Sequence, residues 1–136
     1  MHNFWRLRQH FVERISPRLR EEIGLEMPDV FLLKHVAARP QSPSEVAALL
    51  RLPPHTISRR LDGLEKRALL TRRLAEGDAR RRVLTVTPQG ETALQEGLAL
   101  LEDQVAELLG VLEPATLETF LGALERLAHP SPKETP

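Results

Sequence analysis

Residues 54–90 read PHTISRRLDGLEKRALLTRRLAEGDARRRVLTVTPQG, and within them the hydrophobic spacing changes from helical to extended. Ile57, Leu61 and Leu64 are spaced four and three residues apart, which predicts an amphipathic helix over about 54–68. The opposite face of that helix carries polar and basic side chains: His55, Thr56, Ser58, Arg59, Arg60 and Lys66. These hydrogen-bonding groups suit base edges and phosphates in a major groove of DNA, although His55 would be equally ordinary as an exposed polar residue.

Two short extended stretches follow the helix. Residues 72–74 and 82–87 are predicted strands, and the small, polar, glycine-containing segment 75–78 is typical of a hairpin tip. The hairpin carries five arginines: Arg72, Arg73, Arg80, Arg81 and Arg82. An extended arginine can enter a narrow, electronegative minor groove, so this hairpin is a candidate wing.

A short helix is predicted just before the basic one. Ser42-Pro43-Ser44-Glu45 supplies an N-cap serine, a proline at the first helical position and a glutamate placed to close a capping box. Leu52-Pro53-Pro54 ends that helix. A short helix, a tight turn and a basic second helix form the layout of a helix-turn-helix.

The two ends of the chain predict further helices. Residues 4–23 have helical hydrophobic spacing, and Pro28 begins a second helix that stops before Pro40. Thr87-Pro88 starts a long helix with a leucine seam over 94–112, and Pro114 starts the last one. The predicted fold is mostly α with a small β-hairpin (α+β): a winged helix-turn-helix at 29–87, helical regions at 1–28 and 88–130, and a disordered tail at 131–136.

The composition of the chain excludes some kinds of functional site. The chain has 136 residues, a formal net charge of zero and no cysteine, which excludes disulfides, thiolate metal sites and thiol sensing. The charge is segregated, with +1 over residues 1–50, +6 over 51–82 and −7 over 83–136. A basic block of this kind fits a polyanionic partner or a solvated helix face. No run is apolar enough to span a bilayer, and we expect a cytoplasmic, nucleoid-associated protein.

Residues 56–67 and 78–90 together resemble the MarR family of bacterial winged-helix transcriptional regulators. The segment TISRRLDGLEKR is similar to the recognition helix of that family. The segment DARRRVLTVTPQG is similar to its wing signature, which has an Asp, an Arg two places on, a β run and then Thr-x-x-Gly. Ala68 departs from the pattern, because the family usually ends the recognition helix with glycine.

The resemblance implies a homodimer that binds pseudo-palindromic promoter DNA, usually as a repressor. It also implies an ion pair between Asp62 and Arg80 that ties the recognition helix to the wing. The terminal helices carry more large apolar residues than one subunit readily covers, which agrees with a dimer interface. The predicted interface residues are Phe4, Leu7, Phe11, Leu117, Phe120, Leu121 and Leu124.

Many members of this family bind small aromatic acids in a cleft between the dimer helices and the DNA-binding lobe. Trp5, His10 and His35 are the candidate cleft residues for a small aromatic or phenolic effector. As simpler interpretations, Trp5 packs in the dimer interface and the two histidines are packed or solvated. The sequence offers no closely spaced His/Glu cluster, so we expect no metal site and no bound cofactor.

An enzyme is not expected, because the sequence lacks a phosphate-binding glycine loop, HExxH, GxSxG and a close carboxylate–histidine grouping. Two further functions are compatible with the same elements. One is a winged-helix adaptor that binds protein through its helices. The second is an architectural protein that coats DNA without choosing sequence. Steep salt dependence of DNA binding would separate the adaptor from a DNA-binding protein.

Overall fold

The computed structural model describes the backbone of residues 2–75 and 78–128, and the side chains of residues 2–74 and 82–128. The predicted fold class is confirmed, because a two-stranded antiparallel hairpin is set among helices. In chain order the elements are α1 (His2–Arg18), a π-helical turn (Leu19–Ile23), α2 (Met27–Ala38), α3 (Pro43–Leu50), α4 (Pro54–Lys66), β1 (Leu70–Ala75), β2 (Asp78–Val86), α5 (Pro88–Leu109) and α6 (Pro114–Ala128).

The hydrophobic core lies under α2, α3, α4 and the base of the hairpin, which together form the winged-helix lobe. Its fully buried side chains include Leu33, Val46, Leu61, Leu70 and Leu84. The same core continues into the rest of the chain through residues of α1, the π-helical turn and α5: Ile15, Leu19, Leu94 and Leu101. The lobe is therefore packed directly onto these helices.

The α3–α4 unit forms as its caps predict. Ser42 Oγ accepts a hydrogen bond from the Glu45 N–H at 3.3 Å, and Glu45 Oε2 accepts from the Ser42 N–H at 2.6 Å. Arg51 then adopts a left-handed conformation, with φ of 51°, and turns the chain toward α4. Pro54 occupies the first turn of α4, where a missing N–H costs no hydrogen bond.

The hairpin is longer than the sequence predicted. Its register pairs Leu70 with Val86 and Leu74 with Arg82, followed by an irregularity that brings Ala75 opposite Asp78. Residues 76 and 77 at the tip lie outside the described residues. The Leu84 N–H also donates to the Gln41 carbonyl at 2.8 Å, so a bridge from the α2–α3 connection extends the hairpin.

Two predicted helix ends need correction, and the last turn of the first helix differs in geometry. The first helix changes to π-helical geometry after Arg18, next to Pro17, which lacks a backbone donor, and this turn ends at Ile23, before left-handed Gly24. The recognition helix ends at Lys66, because Ala68 turns into the left-handed region with φ of 55°. The fifth helix ends at Leu109 and does not reach Leu112.

The terminal helices leave much of their apolar surface uncovered. α6 buries none of its residues, although Leu117, Phe120, Leu121 and Leu124 follow helical spacing along it. In α1, Phe4 and Leu7 are exposed and Phe11 is half-buried. The predicted tail at 131–136 lies outside the described residues. No helix among those described is long and apolar enough to cross a membrane.

Candidate nucleic-acid interface

The outer face of α4 presents donors to solvent because its inner face is anchored in the core. Ile57, Leu61 and Leu64 are buried, as their spacing predicted. His55, Ser58, Arg59 and Lys66 are exposed, and Thr56 is half-buried beside them. The predicted recognition-helix residues therefore lie on one helix, but the basic ones among them differ sharply in what they contact.

Arg60 is held by two carboxylates at the start of α2. Its Nη2 contacts Glu26 Oε2 and its Nη1 contacts Asp29 Oδ1, both at 2.8 Å. Burial by itself lowers the pKa of Arg60, but the hydrogen bonds and charges of Glu26 and Asp29 outweigh it, so the pKa is raised. In this structure the guanidinium of Arg60 is turned toward protein, and a DNA contact by Arg60 stays a prediction.

Arg67 extends from the C-terminal end of α4 to the end of the π-helical turn. Its two terminal nitrogens donate to the carbonyl oxygens of Gly24 and Ile23, the second at 2.9 Å. Carbonyls at a helix C-terminus lack intrahelical partners, and a cation there is favourable. Arg67 thus pairs with carbonyl groups at the end of the π-helical turn and links that turn to α4.

Arg72 connects the wing to α4. Its Nη2 contacts Asp62 Oδ1 at 2.6 Å, and its Nη1 contacts Glu65 Oε2 at 3.2 Å. A helix–wing ion pair through Asp62 is thus present with Arg72. The side chain of Arg80, the partner implied by the resemblance, lies outside the described residues, and so does that of Arg81. The Asp62–Arg80 pair stays a prediction.

Four basic side chains beside this surface remain available. Arg59 and Lys66 on α4, and Arg73 and Arg82 on the hairpin, are exposed and make no ion pair with another described residue. By the strand register, Arg72 and Arg82 lie on one face of the hairpin and Arg73 lies on the other. The four available cations therefore lie on α4 itself and on both faces of the hairpin.

The base of the hairpin is fixed by the Thr87-Pro88-Gln89-Gly90 segment. Thr87 Oγ1 accepts from the Gly90 N–H at 3.0 Å, which caps α5, and donates to the Ala68 carbonyl at 2.6 Å. A Cβ at Gly90 would stand 1.8 Å from the Leu69 carbonyl oxygen. Threonine is thus needed to link two chain segments, and glycine is needed to let them approach.

The exit of α4 forms a Schellman motif with alanine in the usual glycine position. The Leu69 N–H donates to the Leu64 carbonyl at 3.0 Å, and the Ala68 N–H donates to the Glu65 carbonyl at 2.9 Å. Leu64 and Leu69 are both buried. Ala68 therefore keeps the turn that glycine favours, at the cost of an unfavourable left-handed backbone.

Comparisons with known proteins agree with this geometry. Residues 23–81 match the model of the MarR family. This stretch, which contains most of the winged-helix lobe, is therefore similar to the MarR family. Comparison with curated protein sequences finds no match.

Solved structures of transcriptional regulators resemble the chain over nearly its whole length. The transcriptional regulator BldR from Sulfolobus solfataricus is 24% identical, with coverage of 94% of this chain and 91% of that chain and a TM-score of 0.77. Wild-type MarR from E. coli is 16% identical, with coverage of 93% and 94% and a TM-score of 0.81. A Mycobacterium tuberculosis MarR family protein, solved with DNA, is 21% identical, with coverage of 94% and 96% and a TM-score of 0.81.

The candidate effector residues do not form one site in the described part of the chain. Trp5 is 59% exposed and lies 5.8 Å from the Arg8 guanidinium. His10 is exposed and lines a shallow groove along α1, and half-buried His35 lies near the end of α2, where its carbonyl accepts from Gln41 Nε2 at 2.6 Å. Among the described side chains, no hydrogen bond or ring contact joins these three. In the described part of the chain, no group of three acidic or histidine side chains could hold a metal ion.

Several residues that shape the candidate interface were not singled out from the sequence. They are Glu26, Asp29, Glu65 and Arg67. The Glu26-Met-Pro-Asp29 segment is a capping box, confirmed by the bond from the Glu26 N–H to Asp29 Oδ2 at 2.9 Å. The capping-box pattern at Glu26–Asp29 could have indicated the two carboxylates from the sequence. The seven-residue spacing of Arg60 and Arg67 could have indicated that the two arginines share a helix face.

Proposed function

We propose that the chain is a sequence-specific, double-stranded DNA-binding transcriptional regulator that acts as a homodimer. The observation that carries this proposal is the group of donors on the outer face of α4 and on the hairpin that make no ion pair with another described residue. α4 has 13 residues, about 20 Å of helix, and a helix of this width fits the major groove. The structure of the M. tuberculosis relative with DNA supports the same assignment.

The proposed DNA contacts differ according to their position on α4 and the hairpin. Thr56, Ser58 and Arg59 lie in the first half of α4, the part of a recognition helix that normally contacts base edges. Lys66, Arg73 and Arg82 lie further out and suit phosphates or a minor groove, along with the predicted wing residues Arg80 and Arg81. Because Arg72 is paired with Asp62 and Glu65, its part is to fix the angle between wing and helix.

A second copy of the chain accounts for the apolar surface of the terminal helices. Leu121 and Leu124 of α6 and Phe4 of α1 are 47%, 44% and 67% exposed in the single chain. Joining two copies through these helices removes that surface from water and presents two α4 helices. Such a dimer reads half-sites about one helical turn apart, which is the arrangement of a pseudo-palindromic site.

Repression controlled by a small aromatic acid is the finer part of the proposal. The M. tuberculosis MarR family protein has been solved with p-aminosalicylic acid and with salicylic acid. An effector needs a coupling of only about 1–3 kcal/mol to change DNA affinity about 5- to 150-fold. Trp5, His10 and His35 remain the candidate cleft residues, and the regulator would act at the nucleoid in the cytoplasm.

The deciding experiment is fluorescence anisotropy on a duplex from the gene's own upstream region, with a scrambled duplex as control, at about 50 and 200 mM salt. A protein that neutralises six to ten phosphates loses about 10³- to 10⁵-fold in affinity over that range. We expect the native duplex to be preferred about 100-fold or more at the higher salt. Equal binding to both duplexes would indicate an architectural protein, and no binding to either would indicate a protein-binding adaptor.

Matched variants and a ligand titration complete the test. Arg59→Ala should lower affinity for the native duplex and reduce the preference over the scrambled one, since one base contact is worth about 1–3 kcal/mol. Arg126→Ala, which removes an equal charge from α6, should change neither. Salicylate added to the protein–DNA complex should release the duplex, and a titration without release would contradict effector control.

A further inference from the structure

A groove lies between the junction of α1 and α2, residues 19–29, and one side of α4 that also carries His55, Thr56 and Arg59. It has a volume of about 430 Å³ and an apolar floor formed by Leu25 and Leu64. Arg60 and Arg67 project from the α4 side and reach carboxylate and carbonyl oxygens on the junction side. Seven residues correspond to about two helical turns, so the two arginines bridge the groove at points about 10 Å apart.

Both ends of the Arg60 contact are fixed. Glu26 and Asp29 form the capping box that starts α2, so their carboxylates are already oriented by the backbone. The Asp29 side chain is only 14% exposed, which keeps solvent screening of this pair low. Two separate carboxylates on one guanidinium also restrict its rotation more than a single pair would.

The Arg67 contact is geometrically restricted in a different way. Gly24, one of its two acceptors, adopts φ of 65°, and a Cβ built there would stand 3.3 Å from Arg67 Nη2. The guanidinium therefore lies against the backbone at the end of the π-helical turn. Since that turn continues directly from α1, Arg67 joins the recognition helix to a helix of the predicted dimer interface.

We propose that Arg60 and Arg67 are positioning residues that hold the recognition helix in a fixed place relative to the α1–α2 junction, and that they do not contact DNA. This inference rests on the proposed function. Its physical basis is that both guanidiniums already have protein acceptors across the groove. The two contacts transmit the placement of the terminal helices to α4, and hence set the spacing of two α4 helices in a dimer.

If Arg60 has this role, removal of its carboxylate partners should weaken DNA binding, whereas charge alone predicts stronger binding. Glu26→Gln with Asp29→Asn removes two negative charges, which by charge alone would strengthen DNA binding. Both substitutions keep an oxygen for the α2 capping box. When the amide oxygen introduced by Asp29→Asn stays on the cap, the new amide nitrogen faces the guanidinium of Arg60, donor against donor. We therefore expect the double variant to bind its specific duplex about 2- to 30-fold more weakly.

The experiment compares wild type, Glu26→Gln/Asp29→Asn, Arg60→Gln and the triple variant by anisotropy on native and scrambled duplexes over a salt series. Glu21→Gln is the matched control, because Glu21 is exposed on the π-helical turn and makes no ion pair among the described residues. We expect the triple variant to lose no more affinity than Glu26→Gln/Asp29→Asn or Arg60→Gln alone. Each of these two variants already breaks the same interaction, that of Arg60 with the two carboxylates. The slope of log affinity against log salt should stay unchanged, whereas loss of one phosphate contact per subunit would lower it by about 2 per dimer.

Two results would overturn the inference: unchanged or tighter binding by Glu26→Gln/Asp29→Asn, or a lower salt slope with additive losses for Arg60→Gln. If wild type does not distinguish the two duplexes, the proposed function fails and the positioning role fails with it. Thermal unfolding of each variant establishes that the protein titrated is folded. Arg67→Gln is the second test, because its acceptors are backbone carbonyls; it should weaken specific binding with an unchanged salt slope, and full affinity would contradict its role.

Discussion

α4 and α6 have similar lengths and similar amphipathic spacing, yet their environments are opposite. α4 buries Ile57, Leu61 and Leu64 against the lobe, whereas α6 buries none of its 15 residues. Helical spacing therefore predicts that an apolar face exists but not what covers it. The lobe covers the apolar face of α4 from within the chain, whereas the described residues leave the apolar face of α6 uncovered. Four predictions test this difference, and the largest effect is expected at α6.

Leu121→Glu combined with Leu124→Glu should weaken self-association about 1,000-fold or more. Each substitution places a carboxylate in the proposed apolar interface, and a two-fold axis repeats it in the second subunit. Sedimentation velocity at several concentrations measures the effect. Leu49→Glu is the matched control, because Leu49 is 51% exposed but lies on α3 in the lobe. A double variant that still sedimented as a dimer would remove α6 from the interface.

Gly90→Ala should destabilise the lobe by about 3 kcal/mol or more, because the new Cβ would stand 1.8 Å from the Leu69 carbonyl oxygen. Urea unfolding monitored by circular dichroism measures the change. Gly63→Ala is the control, since a Cβ at this helical position meets nothing within 4 Å and should stabilise the protein slightly. Equal stability of Gly90→Ala and wild type would show that the Leu69–Gly90 approach is not required.

Asp62→Ala should weaken specific DNA binding about 2- to 10-fold, even though it removes a negative charge near the DNA. The reason is that Arg72 loses its 2.6 Å partner and the wing loses part of its connection to α4. Anisotropy on the native duplex measures the loss. Combining Asp62→Ala with Glu65→Gln should cost less than the sum of the two, because both carboxylates bind Arg72. Unchanged or stronger binding by Asp62→Ala would contradict this role.

Ala68→Gly should stabilise the protein by about 0.5–1 kcal/mol. Glycine relieves the left-handed strain at φ of 55°, and the gain is reduced by its greater freedom in the unfolded chain. Thermal and urea unfolding both report it. Ala106→Gly, at an exposed position inside α5, should have the opposite effect by a similar amount. If both glycines destabilised the protein, the Ala68 conformation would carry no strain.

Much of the fold was predictable because it follows from local rules. The capping box at Ser42–Glu45, the prolines at helix starts and the change from helical to extended spacing are all visible within a few residues. The errors lie at element ends. Ala68 turns the chain because hydrogen bonds to residues several positions earlier favour the left-handed conformation there, and spacing alone carries no information about that.

The candidate interface was predicted less completely. The sequence placed the donors on α4 and the hairpin, and the structure confirms the buried and exposed faces of α4. It identified Asp62 as a helix–wing partner, and Arg72 is the arginine found beside it. It could not separate Arg60 from Arg59, because Arg60 differs only in lying opposite Glu26 and Asp29, about 30 residues earlier in the chain.

By itself, the sequence determined the order of the elements, the helix-turn-helix with its basic hairpin, and the concentration of positive charge at residues 51–82. Those properties depend on composition and on contacts between near neighbours in the chain. Only the tertiary structure decided which of the described arginine and lysine side chains are paired with oxygen atoms of the protein and which are not. A guanidinium is engaged when an oxygen lies within about 3 Å of it, and for Arg60 and Arg67 those oxygens come from segments that only folding brings close.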